Sequence, residues 1–183
     1  MMADKAKEVY TADGWFQTGD IGQFLEDGSI RIVDRKKNLV KLRSGEYIAL
    51  ERMEAVYGNS EFVDAIAGGV CCYGDGGMDR PVALIQINRT EALNWAKANG
   101  VQVKDFDKFL HSKEFYSAVM ESMKKEHAMS DLSPIEKIQG AVLLDSPWTP
   151  ENGCLTAANK LQRRIVADTF SKELEVVKKK GIF

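Results

Sequence analysis

Short β-patterned runs alternate with helical runs along this chain, and no single run is long enough to hide its apolar residues by itself. Leu39 to Leu42, Val63 to Tyr73, Val82 to Ile87 and Ile138 to Leu144 read as strands, with Gly68-Gly69 as a bulge or bend inside the second. Leu50, Met53 and Tyr57 recur at helical spacing, and Gly58-Asn59 stops that helix. Thr90 reads as the cap of a helix running to Asn99-Gly100. Asp105 and Ser112 cap two more, the second reaching roughly to His127. The last helix is expected from about Gln162 to Lys180, with Ile165, Val166, Phe170, Leu174 and Val177 on one face. Elements interspersed in this way give an α+β fold or a mixed α/β sandwich.

The chain opens differently. Phe24-Leu25 closes one short strand, Glu26-Asp27-Gly28-Ser29 supplies turn residues, and Ile30-Arg31-Ile32-Val33 resumes an apolar pattern. That is a β-hairpin. A two-stranded hairpin alone is marginal in water, so this one needs a partner surface.

Composition narrows the function classes. The net charge of −2 gives no positive field to attract nucleic acid. The three cysteines, Cys71, Cys72 and Cys154, are odd in number and two are adjacent, which does not read as a disulfide framework. They read as packing residues in a reducing, intracellular setting. Two histidines without CxxC spacing make a zinc site a poor expectation, and no metal ligands are assigned. No apolar run has the length of a membrane span. The start, Met1 to Lys5, is polar and unlike a secretory signal, and Gly181-Ile182-Phe183 matches no peroxisomal or ER address.

Several short segments could carry chemistry, though each has a plain reading too. Thr18-Gly19-Asp20 is either a turn with a solvated aspartate or a carboxylate placed to accept both protons of a vicinal diol. Asp34-Arg35-Lys36-Lys37 is either a charged linker or an arginine fork beside a nucleotide, followed by a hinge. Ser44-Gly45-Glu46-Tyr47 is a plain loop, or one whose glycine lets a narrow ligand approach. Lys160 is a surface lysine, or a cation that stabilises charge developing between a carboxylate and a phosphate.

Their order is more specific than any one of them. Gly14-Trp15-Phe16-Gln17-Thr18-Gly19-Asp20-Ile21-Gly22 leads to Asp34-Arg35-Lys36-Lys37, then to Gly45-Glu46-Tyr47-Ile48. Far downstream stand Glu151-Asn152-Gly153-Cys154-Leu155-Thr156 and Lys160-Leu161-Gln162-Arg163. The series resembles the C-terminal motifs of the adenylate-forming superfamily, and most closely those of long-chain fatty acyl-CoA synthetases. There are local departures: Arg43-Ser44 precede Gly45 where a glycine pair is usual, and Ala157-Ala158-Asn159 replace Pro-Thr-Phe.

The resemblance implies a small mixed sheet flanked by helices, the lid domain of that superfamily, preceded by the hairpin. Residues 1–36 would be the tail of a large N-terminal adenylation domain and 37–183 the small domain, with a helical insertion near 90–133. It implies an enzyme that activates a fatty acid with ATP and Mg²⁺ to acyl-AMP and passes the acyl group to coenzyme A. By the same likeness Asp20 and Arg35 would bind the nucleotide, Lys37 would be the hinge, Gly45 and Glu46 would line the coenzyme A channel, and Lys160 would serve adenylation. No Ser/Thr/Gly-rich phosphate loop ending in lysine is present, so the resemblance implies that the main active-site domain is missing and that this chain alone is inactive. No cofactor is expected to bind the chain tightly. The expected partners are the missing N-terminal domain, the fatty acid, ATP and coenzyme A, on a protein in the cytoplasm or on the cytoplasmic face of a membrane, with room for peripheral association. The rival reading is a non-catalytic binding or regulatory module that kept the lid fold.

Overall fold

The computed structural model describes residues 9–66 and 68–180; the polar start at Met1 to Lys5 and the Gly181-Ile182-Phe183 end lie outside them. The chain divides into two compact units, Met1–Leu39 and Val40–Phe183.

The first unit is the hairpin. Strands β1 (Asp20–Phe24) and β2 (Ile30–Arg35) pair antiparallel, with a register shift between Ile21 and Gly22. Their turn forms where the sequence places it. Asp27 accepts hydrogen bonds from the Ser29 backbone N–H at 2.9 Å and its hydroxyl at 2.7 Å, while Gly28 takes a positive φ of 81°. Phe24 lies opposite Ile30, and Gly22 opposite Ile32, so the three apolar side chains share one face. Phe24, Ile30 and Ile32 stand 60–78% exposed.

The second unit carries the core. A two-stranded β3 (Leu39–Lys41) and β4 (Tyr47–Ala49) pair precedes a three-stranded sheet in the order β5 (Val70–Tyr73), β6 (Val82–Gln86), β7 (Ala141–Leu144). β5 and β6 run antiparallel, β6 and β7 parallel, so the sheet is mixed as expected. Every residue of β6 is buried, as suits a central strand covered on both faces. Helix α1 (Leu50–Tyr57) buries Leu50, Met53 and Tyr57 against β5. Helices α2 (Arg89–Ala98), α3 (Phe106–Leu110) and α4 (Lys113–Ala128) fill the connection between β6 and β7. Phe115, Val119 and Met123 form the buried stripe of α4, and Phe115 packs its ring on Phe62, Trp95 and Phe109.

Three local expectations need correction. The helix capped by Thr90 is capped by Asn88 instead, whose Oδ1 accepts from the N–H groups of Thr90 and Glu91 at 3.1 and 3.2 Å. The strand expected from Val63 shrinks to Val70–Tyr73, with Val63 only bridging Ile87. Upstream, the side chains of Ser60 and Asp64 accept from the N–H groups of Phe62 and Ile66, satisfying them as turns instead of as a ladder. The single last helix is two, α5 (Arg163–Thr169) and α6 (Ser171–Lys180), which part at Phe170. The Thr169 hydroxyl donates back to the Ile165 carbonyl at 2.7 Å, a contact that bends helices. Val166, Leu174 and Val177 are buried, but Ile165 is 37% exposed.

Gly68-Gly69 is a tight turn rather than a bulge. Gly68 has φ +115°, and a Cβ there would lie 2.6 Å from Cε3 of the buried Trp148. Backbone conformation and ring contact both require glycine.

Candidate functional site

In the hairpin unit, β-pairing sets Asp20 directly across from Arg35. The Arg35 Nε stands 3.6 Å from Asp20 Oδ1, and both side chains are open to solvent. The turn before Asp20 is firm: Gly19 takes φ +78°, the Thr18 hydroxyl accepts the Asp20 N–H at 3.1 Å, and the Lys36 N–H donates to the Gly19 carbonyl at 2.7 Å. An ionised carboxylate offers only acceptors, so an exposed Asp20 can take a diol while Arg35 supplies donors beside it.

Lys37 sits in a single 3₁₀ turn, Lys36–Asn38, flanked by Arg35 and Leu39 in extended conformation. One such turn between extended residues is a place where a chain can pivot. Asp34 holds it: its Oδ1 accepts from the Arg35 N–H at 2.6 Å and from Asn38 Nδ2 at 2.9 Å, with both side chains buried. Neither Asp34 nor Asn38 stood out in the sequence as a site residue. The spacing of an aspartate four before an asparagine is the signal that was there.

Gly45 and Glu46 form the tip of the β3–β4 loop. The loop is closed by the Leu42 N–H to the Glu46 carbonyl and the Gly45 N–H to the Leu42 carbonyl, both 2.9 Å. Gly45 takes φ +90°, and a Cβ there would approach nothing closer than Lys41 Cε at 3.9 Å. Glycine is needed here for conformation rather than for space. Glu46 is exposed and accepts from the Ser44 hydroxyl at 3.3 Å.

Lys160 stands in a second loop of the same unit. The Thr156 N–H donates to the Lys160 carbonyl at 2.8 Å, and the Lys160 N–H donates to the Thr156 hydroxyl at 3.0 Å. Asn159 turns the chain with φ +54°, and Leu155 bridges Leu161 behind it. Gln162 Nε2 ties the base down through the Gly153 and Leu155 carbonyls at 2.9 and 3.1 Å. The backbone of Lys160 is thus fixed on both sides while its side chain is exposed. Among the described residues no hydrogen bond or ion pair engages its ammonium.

The next residue but two anchors the loop to the core. Arg163 reaches Glu54 on α1 with Nε to Oε1 at 3.0 Å and Nη2 to Oε2 at 2.6 Å. Oε1 of Glu54 also accepts the Cys72 N–H of β5 at 3.0 Å. Burial pushes the Glu54 carboxyl up, and the guanidinium and the Cys72 N–H pull against that shift. Sequence reading placed Arg163 in the lysine motif but gave it no role, since its partner lies far upstream.

The remaining candidates are quiet. Cys71, Cys72 and Cys154 are free, buried thiols, and burial pushes all three pKa values up, away from the reactive thiolate. Among the described residues no three His, Cys, Asp or Glu side chains cluster to hold a metal, and no helix is long and apolar enough to cross a membrane.

No family model matches the chain. Curated proteins do. It is 36% identical over 97% of its length to long-chain-fatty-acid–CoA ligase 4 of Saccharomyces cerevisiae, and 40% identical over 92% to long-chain-fatty-acid–CoA ligase 1 of Schizosaccharomyces pombe. Over nearly its whole length the chain is similar to the C-terminal portion of long-chain fatty acid–CoA ligases. It spans about a quarter of the length of these ligases, 25% of each. The fold agrees with the superfamily. The didomain of a carboxylic acid reductase from Segniliparus rugosus, solved in complex with AMP, superposes with a TM-score of 0.79 at 28% identity, over 95% of this chain and 22% of that one.

Within this chain, Asp20 and Arg35 are brought together across the hairpin, and Lys37 follows them on the same unit. Gly45, Glu46 and Lys160 lie on two loops of the other unit, with no hydrogen bond between those loops among the described residues.

Proposed function

We propose that the protein of which this chain is a part joins a long-chain fatty acid to coenzyme A in two steps, and that this chain supplies the parts that change between them. In the first step a carboxylate oxygen bonds to the α-phosphorus of ATP and pyrophosphate leaves. In the second the coenzyme A sulfur bonds to the acyl carbon, AMP leaves and the thiol proton is released. Asp20 accepts the ribose hydroxyls and Arg35 donates beside them. Lys160 offers its ammonium to the carboxylate and α-phosphate, where two anions must meet. Gly45 and Glu46 border the path of the thiol, and the turn at Lys37 is the pivot. ATP enters with Mg²⁺, and no residue of this chain is assigned to that ion.

The observation that carries this reading is the Lys160 loop. Its backbone is clamped by Thr156, Gln162 and the Arg163–Glu54 pair, while the ammonium is left unengaged. A lysine serving only solubility needs no such scaffold. A cation delivered to a reaction does, because misplacement costs rate steeply. A cation needed in one step and idle in the next also suits a residue carried on a unit that pivots.

The test is made on the longer protein and on this chain in parallel. The longer protein is expected to form palmitoyl-CoA from palmitate, ATP and coenzyme A with release of pyrophosphate and AMP, and the 183-residue chain is expected to form none. Thioester formation by the chain alone would overturn the assignment of roles. Inactivity of the longer protein toward every long-chain acid would favour a binding or regulatory module.

A further inference from the structure

One flank of α4, beside its buried stripe, borders a groove of about 570 Å³. Lys113, Tyr116, Met120 and Lys124 follow one another at spacings of three and four residues, so they form a single stripe along the helix. Lys113 and Lys124 stand eleven residues apart, which makes the groove roughly 16 Å long. Tyr57, Met123 and Ile138 form its floor and are otherwise buried.

The polar atoms of that floor are already used. The Tyr57 hydroxyl donates to the Glu136 carbonyl at 2.9 Å and accepts the Ile138 N–H at 3.2 Å. The Tyr116 hydroxyl accepts the Ala141 N–H at 3.0 Å. Apart from Ser117 and His111 at its border, the groove therefore shows an occupant mainly carbon and thioether, and methionine adapts to a chain of loose conformation. Its rim is charged. Glu121 is engaged by Lys124 at 3.3 Å, whereas Lys113 and Lys137 make no ion pair among the described residues. The uncommitted charge around the groove is positive.

We propose that this groove is a second binding site for a long-chain carboxylate, its alkyl chain laid along α4 and its carboxylate paired with Lys113 or Lys137. A largely apolar trough with cations free of ion pairs at its rim suits one chain with one anionic end. The site goes beyond the proposed reaction. None of Asp20, Arg35, Lys37, Gly45, Glu46 or Lys160 borders it, and it stands whether or not that reaction is confirmed.

Titration calorimetry of the 183-residue chain with laurate, held below its micelle concentration, tests the proposal. Saturable one-to-one binding is expected, with dodecyltrimethylammonium binding at least about tenfold more weakly. Met120→Glu places a charge in the trough, and the Lys113→Glu/Lys137→Glu pair reverses the rim; each should weaken laurate about tenfold or more while leaving the circular dichroism unchanged. Lys113 is exposed and Lys137 half-buried, neither in the core, so the rim pair keeps the test open if the Met120 variant does not fold. Equal affinity for the cationic amphiphile, indifference to the folded variants, or binding only to anionic vesicles would overturn the proposal.

Discussion

Arg163 and Glu54 meet through two near-parallel hydrogen bonds, at 3.0 and 2.6 Å, across 109 positions of sequence. Their side chains are only 22% and 13% exposed, so neither charge can be left alone without cost. Glu54→Gln is expected to destabilise the second unit by about 2–3 kcal/mol, because a largely buried guanidinium loses its nearer counter-charge and keeps only Glu51, at 3.6 Å. Urea unfolding measures the loss. Hydrogen exchange should rise at Cys72, whose N–H also ends on Glu54, and in the Thr156–Lys160 turn. A variant as stable as the parent would show that the pair contributes nothing to anchoring this loop.

Gly68→Ala should cost about 2–4 kcal/mol. The new methyl would lie 2.6 Å from the Trp148 ring at φ +115°, so the residue meets both overpacking and a disallowed backbone. Gly100→Ala, at φ +71° with nothing within 4 Å, is the control for conformation alone and should cost less. Equal losses at the two positions would remove the Trp148 contact from the explanation.

Acid should loosen the end of α6. Asp75 is partly buried, which raises its pKa, but the Lys178 ammonium at 2.9 Å and the Gly77 N–H outweigh that, and the net shift is downward from 3.8. A depressed carboxyl contributes stability that is complete above its ordinary value and lost as pH falls through the depressed one. The Asp75→Asn variant should therefore show a flatter loss of urea stability than the parent between about pH 4 and pH 2, with the two differing most near neutral pH. Parallel pH profiles would discard the link.

In the longer protein Lys160→Ala should cut acyl-adenylate formation by about 10²–10³ and spare thioester formation from supplied acyl-adenylate. Pyrophosphate release and thioester release, assayed separately, divide the two steps. An equal fall in both would make Lys160 a structural residue, and no fall would remove it from the chemistry.

The hairpin should exchange its amides faster than the central sheet. β1 and β2 form a two-stranded pair with Phe24, Ile30 and Ile32 uncovered, whereas β6 is buried throughout. Equal protection of Ile30–Arg35 and Val82–Gln86 would show that the hairpin is stabilised by more than its own pairing.

Much of this was legible in the chain. Leu50, Met53 and Tyr57 announced α1 through their spacing, Asp105 and Ser112 capped the helices they were expected to cap, and Glu26 to Ser29 made the turn. Ser44-Gly45-Glu46 form the loop read for them. What escaped depended on partners remote in sequence or on competing side chains. Glu54 has no local mark that points to Arg163. Thr169 divides the last helix through a hydroxyl that hydrophobic periodicity ignores. Gly68 reads as a generic bend until Trp148, eighty positions on, is seen lying against it.

The parallel pairing of β6 with β7 has a consequence in time. Ala83 aligns with Ala141, so the chain between them must be made before the third strand can be added. On a ribosome, β5 and β6 are made first, and the edge of β6 that β7 will take has no sheet partner until α2, α3 and α4 have been synthesised. Those helices are thus the delay built into the sheet as well as its crossover.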